Sequence, residues 1–149
     1  MVIKMKKVAV SACLVGKNTK YDGTNNYNQK VMDYLKDKEY ILICPEVLGG
    51  LPTPRVPSEI VNNKVINKEN IDVTDKFISG AKKALEMLID NNIDEVIVKS
   101  KSPSCGYKQI YDGTFTGKII EGNGIFTTLA IQKGIKVLTE KDIEKKFTN

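Results

Sequence analysis

Three cysteines, Cys13, Cys44 and Cys105, stand in a chain of 149 residues that contains no histidine. Cysteine thiolates are nucleophiles and soft metal ligands, and the missing imidazole removes many of their usual partners. Ser-His-Asp and Cys-His catalysis, histidine-ligated zinc and histidine-held haem are excluded. An odd number of cysteines cannot close a complete disulfide framework. No C-x2-C pair occurs, which speaks against a structural zinc knuckle and against a redox dithiol. A single free cysteine reads as a small buried hydrophobe. Here, however, each of the three lies among Pro, Gly or small polar residues, in SACLVG, CPEVLGG and SPSCG. Iron–sulfur clusters are held by thiolates, and a 4Fe-4S cube on three of them leaves one iron open. An open iron is a Lewis acid that can bind a substrate heteroatom.

The elements that must position these residues follow from hydrophobic periodicity. Lys7–Ala12 reads as a buried β-strand and Asn25–Lys36 as a helix capped by Asn25 or Asn26. Tyr40–Ile43 is a second strand, stopped by Pro45, and residues 45–63, with four of the five prolines, read as an irregular loop. Phe77, Ala81, Ala84, Leu85 and Leu88 share one face of a long helix over Thr74–Asn91. A third strand over Ile93–Lys99 leads into a loop at 100–122. Next come a helix over Asn123–Lys133 ended by Gly134, a short strand over Ile135–Leu138 and a terminal helix over Glu140–Phe147. Alternating strands and helices predict an α/β fold, a Rossmann-like three-layer domain with a short, mainly parallel sheet. No linker or repeat divides residues 1–149, so a single domain is expected. Ligands of such sheets bind beyond the carboxyl ends of the strands, and each cysteine follows a predicted strand.

Composition narrows the partners. No apolar run approaches the roughly 18 residues that cross a bilayer, and the opening MVIKMKK lacks a signal-peptide apolar stretch. A cytoplasmic protein without membrane partners is therefore expected. The net charge is +5, yet the lysines are scattered, without the basic stripe of a nucleic-acid face. GTFTGK at 113–118 falls short of a phosphate loop: one residue is missing between its glycines, and Ile119 replaces Ser/Thr. Gly122-Asn123-Gly124 could offer amides to an anion, though a plain helix start is the simpler account.

SACLVG at 11–16, KYDG at 20–23, CPEVLGGLPTPRVPSEI at 44–60, KSPSCG at 101–106 and YDGTFTG at 111–117 together resemble the thiouracil desulfidase family. The resemblance spans nearly the whole chain. It implies a 4Fe-4S cluster on Cys13, Cys44 and Cys105, with an open iron that takes the sulfur of 2-thiouracil. It further implies uracil and hydrogen sulfide as products without net redox change. The substrate class is then a small thiolated pyrimidine, and iron–sulfur assembly machinery is an implied partner. The family's acid/base carboxylate falls on Glu46 and its supporting hydroxyl on Ser102, with Ser100 and Ser104 in the same loop. Two rivals remain: a non-catalytic iron–sulfur binding or sensing module, and desulfuration of thiolated nucleosides in RNA.

Glu46 also stands on its own residues. Without histidine a proton shuttle must be a carboxylate, Lys, Tyr or thiol, and Glu46 lies two residues past Cys44. A solvated loop glutamate is the plain alternative. Arg55 is the lone arginine, which suggests a need for a planar donor fork. That fork could clamp a pyrimidine carbonyl or pin the proline loop to a carboxylate such as Glu59. Tyr21 and Asp22 are further candidates around the substrate, although an Asp-Gly turn explains them equally well.

Overall fold

The computed structural model describes residues 6–146. Phe147, at the end of the expected terminal helix, and the opening residues 1–5 lie outside that range. The elements are β1 (Lys7–Ser11), a one-turn 3-10 helix (Ala12–Val15), α1 (Gln29–Leu35), β2 (Glu39–Ile43), α2 (Pro45–Leu48), β3 (Ser58–Val61) and β4 (Lys64–Asn67). They continue with α3 (Thr74–Asp90), β5 (Glu95–Val98), β6 (Gln109–Tyr111), β7 (Ile119–Glu121), α4 (Ile125–Gln132), β8 (Lys136–Thr139) and α5 (Glu140–Lys146).

Four strands form one parallel sheet in the order β2-β1-β5-β8. The fold is mixed α/β, with that sheet between two helical layers. Alternation along the strands explains the layers. Val8, Val10, Ile97, Leu42 and Leu138 pack on one side against Val31 and Leu35 of α1 and Ile143 of α5. Ala9, Ile43, Val96, Val98 and Val137 pack on the other against Ala81, Ala84 and Leu88 of α3 and Phe126 and Ala130 of α4. Strands covered on both faces need near-continuous apolar runs, as in KVAVS and EVIV. The chain steps from β1 to β2 on one side and later to β5 on the other, so the order reverses between β1 and β5. Such a reversal opens a crevice at the carboxyl edge.

Three local expectations are corrected. Helix α1 starts at Gln29, because the Asn28 side chain accepts from the Val31 amide at 3.1 Å and is the N-cap. Residues 25–28 stay non-helical, with the Asn26 amide donating to the Cys13 carbonyl and the Asn28 amide to the Leu14 carbonyl. The stretch 45–63 is partly regular: Pro45 opens α2, and an antiparallel hairpin pairs β3 with β4. Asn62 and Asn63 make its turn with φ of 49° and 65°, the left-handed pair that a two-residue hairpin loop demands. The loop at 100–122 likewise contains the β6–β7 hairpin.

Two close approaches fix the site's supports. A Cβ on Gly80 of α3 would lie 1.8 Å from the Pro45 carbonyl oxygen, and one on Gly49 would lie 2.0 Å from that of Lys76. Only glycine lets α2 rest directly on the backbone of α3. Likewise a Cβ on Gly124, the N-cap of α4, would meet the Ser104 carbonyl at 2.5 Å. The amides of Ile125 and Phe126 donate to the carbonyls of Pro103 and Ser104, both at 2.9 Å. The start of α4 therefore anchors the Cys105 loop.

Candidate active site

Cys13 sits in the 3-10 turn after β1, Cys44 is the N-cap of α2 directly after β2, and Cys105 follows β5 by seven residues. All three line one cavity of about 430 Å³ at the carboxyl edge of the sheet. None forms a disulfide; Cys105 is buried, while Cys13 and Cys44 are half-buried. Asn26 Nδ2 donates to Cys13 Sγ at 3.3 Å, and Ser11 Oγ to Cys105 Sγ at 3.5 Å. Among the described residues no three His, Cys, Asp or Glu side chains close around a point as ligands of a single metal ion would.

Burial pushes all three thiols above their ordinary range, only partly offset at Cys13 by the Asn26 bond. The effect is largest at Cys105, pushed up from 9.0 to about 12. Because the thiolate is the reactive form, the metal-free protein should show a graded response to iodoacetamide. Cys105 should react on the order of a thousandfold more slowly than an unburied thiol at pH 8, from the loss of thiolate alone. Site-resolved mass spectrometry measures this, and prompt alkylation of Cys105 in the folded protein would contradict it.

Glu46 lies in the first turn of α2 and lines the same cavity. Arg55 Nε donates to its Oε1 at 3.1 Å, and Ser104 Oγ donates to its Oε2 at 2.8 Å. Both side chains of the ion pair are largely buried, 6% exposed for Arg55 and 16% for Glu46. Ser104 Oγ and Ser102 Oγ stand 2.9 Å apart. A carboxylate accepts only, and Ser104 has a single hydroxyl proton. With that proton directed at Glu46, Ser102 must be the donor to Ser104. Ser102 Oγ in turn accepts from the amides of Ser104 and Cys105, both at 3.1 Å. The result is a directed chain, Ser102 to Ser104 to Glu46, ending beside a cysteine.

The other candidates fall into place around it. Arg55 Nη1 donates to the Pro52 carbonyl and to Thr53 Oγ1, and Nη2 to the Thr19 carbonyl at 2.8 Å. Every guanidinium nitrogen thus bonds to the protein, and the carboxylate it pins is Glu46 where the sequence suggested Glu59. Tyr21 lines the cavity and is 40% exposed. Asp22 accepts from the Thr24 amide and hydroxyl in an exposed turn and is not part of the lining. Ser100 is turned away from Glu46: its amide and hydroxyl donate to Glu140 at 2.7 and 2.8 Å. Glu140 also pairs with Lys99 at 3.1 Å. Sequence reasoning passed over Ser104 as the direct partner of Glu46, and over Asn26 and Ser11 as donors to sulfur. The cue for Ser11 and Ser104 was a cysteine one or two residues along the chain, while Asn26, 13 residues past Cys13, carried none.

A family model for 2-thiouracil desulfurase matches residues 8–142. The chain belongs to the 2-thiouracil desulfurase family. The desulfurase fold is shared with the [4Fe-4S]-dependent thiouracil desulfidase TudS, whose structure superposes with a TM-score of 0.88 at 38% identity, covering 94% of each chain. An uncharacterised protein of Bacillus subtilis (strain 168), YbbK, is 36% identical over 146 residues, covering 91% of this chain and 97% of that one. Among the described residues of this desulfurase-family chain, no helix is long and apolar enough to cross a membrane.

Proposed function

We propose that this chain removes sulfur from 2-thiouracil or a related small thiolated pyrimidine, with water, to give the oxygen analogue and hydrogen sulfide. The observation that carries it is the convergence of three unpaired cysteines and the Glu46–Ser104–Ser102 chain on one cavity. The family membership and the likeness to TudS support the same activity.

Cys13, Cys44 and Cys105 would hold a 4Fe-4S cluster. The donor set fits: three sulfurs with no histidine suit a cube, whose thiolates bind separate irons and need not meet at one point. When bound on three thiolates, such a cluster supplies one iron without a protein ligand, a Lewis acid for the substrate's sulfur. Iron–sulfur assembly machinery would load it. The chain's own residues handle protons. A water that adds to the thiocarbonyl carbon must give up both of its protons by the time the carbonyl is complete, and the departing sulfur must gain two to leave as hydrogen sulfide. Glu46 can take the first at Oε2 through Ser104. Arg55 holds that carboxylate in place and leaves its charge fixed near the reacting atoms. Of the three substrate-contact candidates, Tyr21 lines the cavity and has access to the substrate, whereas Asp22 lies outside the lining and the Arg55 nitrogens are all engaged by the protein. A module that only held a cluster would have no use for a directed hydroxyl–carboxylate chain.

The test is anaerobic purification and reconstitution, with iron, sulfide and pyrimidine analysis. About four irons per chain are expected, with uracil and sulfide formed in equal amounts from 2-thiouracil over many turnovers. One stably bound zinc would overturn the cluster assignment. A loaded cluster that binds thiouracil without turnover would instead favour a binding or sensing module.

A further inference from the structure

YDGTFTG at 111–117 has found no role so far, and it forms the turn between β6 and β7. That turn folds over the same cavity, and Tyr111, Phe115 and Gly117 are in its lining. Gly113, Phe115 and Gly117 have φ of 94°, 58° and 81°. The left-handed region is ordinary for glycine but uncommon for a bulky side chain. Strained residues of this kind persist only where their surroundings over-determine them.

Glu59 of β3 supplies that constraint. It is buried, and its Oε1 accepts from the amides of Gly113 at 2.9 Å and Phe115 at 3.2 Å. A Cβ on Gly113 would lie 2.9 Å from the Ile60 carbonyl and 2.6 Å from Val61 Cγ2, so the turn is also docked on β3 by close packing. Asp112 Oδ1 accepts from the Thr114 amide at 2.9 Å and stiffens the turn's first half. Glycine would take the φ of 58° at 115 without strain. An aromatic ring held there against its backbone preference, at the wall of a substrate cavity, calls for a function of the ring.

We propose that Glu59 clamps the β6–β7 turn so that Phe115 forms the wall against which the flat ring of the substrate lies. This rests on the proposed function, since a planar pyrimidine is the ligand. Phe115 contacts the ligand, and Glu59 is a positioning residue that acts through it.

The test uses the cluster-loaded protein with two readouts: steady-state desulfuration of 2-thiouracil, and calorimetric binding of uracil, which has no sulfur to bind iron. Phe115→Ala should raise KM and the uracil dissociation constant about tenfold, the scale of base–aromatic stacking, with the loss in KM rather than kcat. Iron content should match the wild type, and Phe115→Tyr should restore both constants. Glu59→Ala should reproduce the Phe115→Ala defect, and the double variant should be no worse than either single one. Glu59→Gln should largely restore binding, because its amide oxygen can accept the same two N–H bonds. Wild-type constants in Phe115→Ala would overturn the proposal, and so would additive losses in the double variant. Glu59→Gln as defective as Glu59→Ala would also overturn it, since the carboxylate charge would then act directly. If the wild type binds uracil but does not desulfurate, the proposed function fails while the wall is upheld by the binding arm. If it does neither, both fail.

Discussion

Replacing Cys44 with serine should abolish cluster binding and turnover together, with iron falling far below the about four per chain of a loaded cube and desulfuration falling to background. The size of the effect follows from the ligand count. Three thiolates have no protein spare, and the chain has no other cysteine and no histidine to substitute. A serine hydroxyl ionises far less readily than a thiol and is a hard ligand where iron–sulfur clusters use soft ones. The fold should survive, because Cys44 is the N-cap of α2 and serine is among the preferred residues there. The thermal midpoint of the metal-free variant should therefore match that of the metal-free wild type within a few degrees. Cluster absorbance, iron analysis and a melting curve on one preparation decide the matter. A Cys44→Ser protein that retained a full cluster and activity would remove Cys44 from the ligand set.

Glu46→Gln should leave the cluster in place and lower kcat by roughly 10²-fold, the usual scale for losing an acid/base group. Glutamine keeps the length and an oxygen for Arg55 Nε, so the proline loop should remain tied down. What disappears is the negative charge that accepts from Ser104 at 2.8 Å and ends the hydroxyl chain. The loss should fall on kcat more than KM, because the missing interaction belongs to the transition state. Ser104→Ala should show a loss of the same kind, and combining it with Glu46→Gln should add little, since both interrupt one path. Near-normal kcat in Glu46→Gln, with iron content unchanged, would mean that the proton moves by another route.

The two substitutions separate what holds the cofactor from what moves the proton, and the sequence speaks unequally about those parts. Residue types alone decide a great deal. The absence of histidine and the odd cysteine count rule out whole classes of chemistry without any coordinates. Strand and helix periodicity is local, so KVAVS, EVIV and the Phe77–Leu88 stripe announce the parallel sheet and its helix from the chain itself. The rule that ligands sit at the carboxyl edge then directs attention to the loops after β1, β2 and β5.

Contacts between distant segments are another matter. Glu46 and Ser104 are 58 positions apart, and their 2.8 Å bond exists because Gly80 lets α2 rest on α3 while α4 holds the Cys105 loop. Adjacency to Cys105 marks Ser104 out from Ser100 and Ser102 but does not say which carboxylate each meets; the path of the loop from the sheet sends Ser100 to Glu140 and Ser104 to Glu46. Arg55 meets Glu46 rather than Glu59 for the same reason, since Glu59 is occupied 54 and 56 positions away by the amides of Gly113 and Phe115. Chemistry and periodicity are carried by each residue and its neighbours and can be read along the chain. Partner choice among similar side chains is set by distances that only the packed layers create, and there the tertiary structure alone decides.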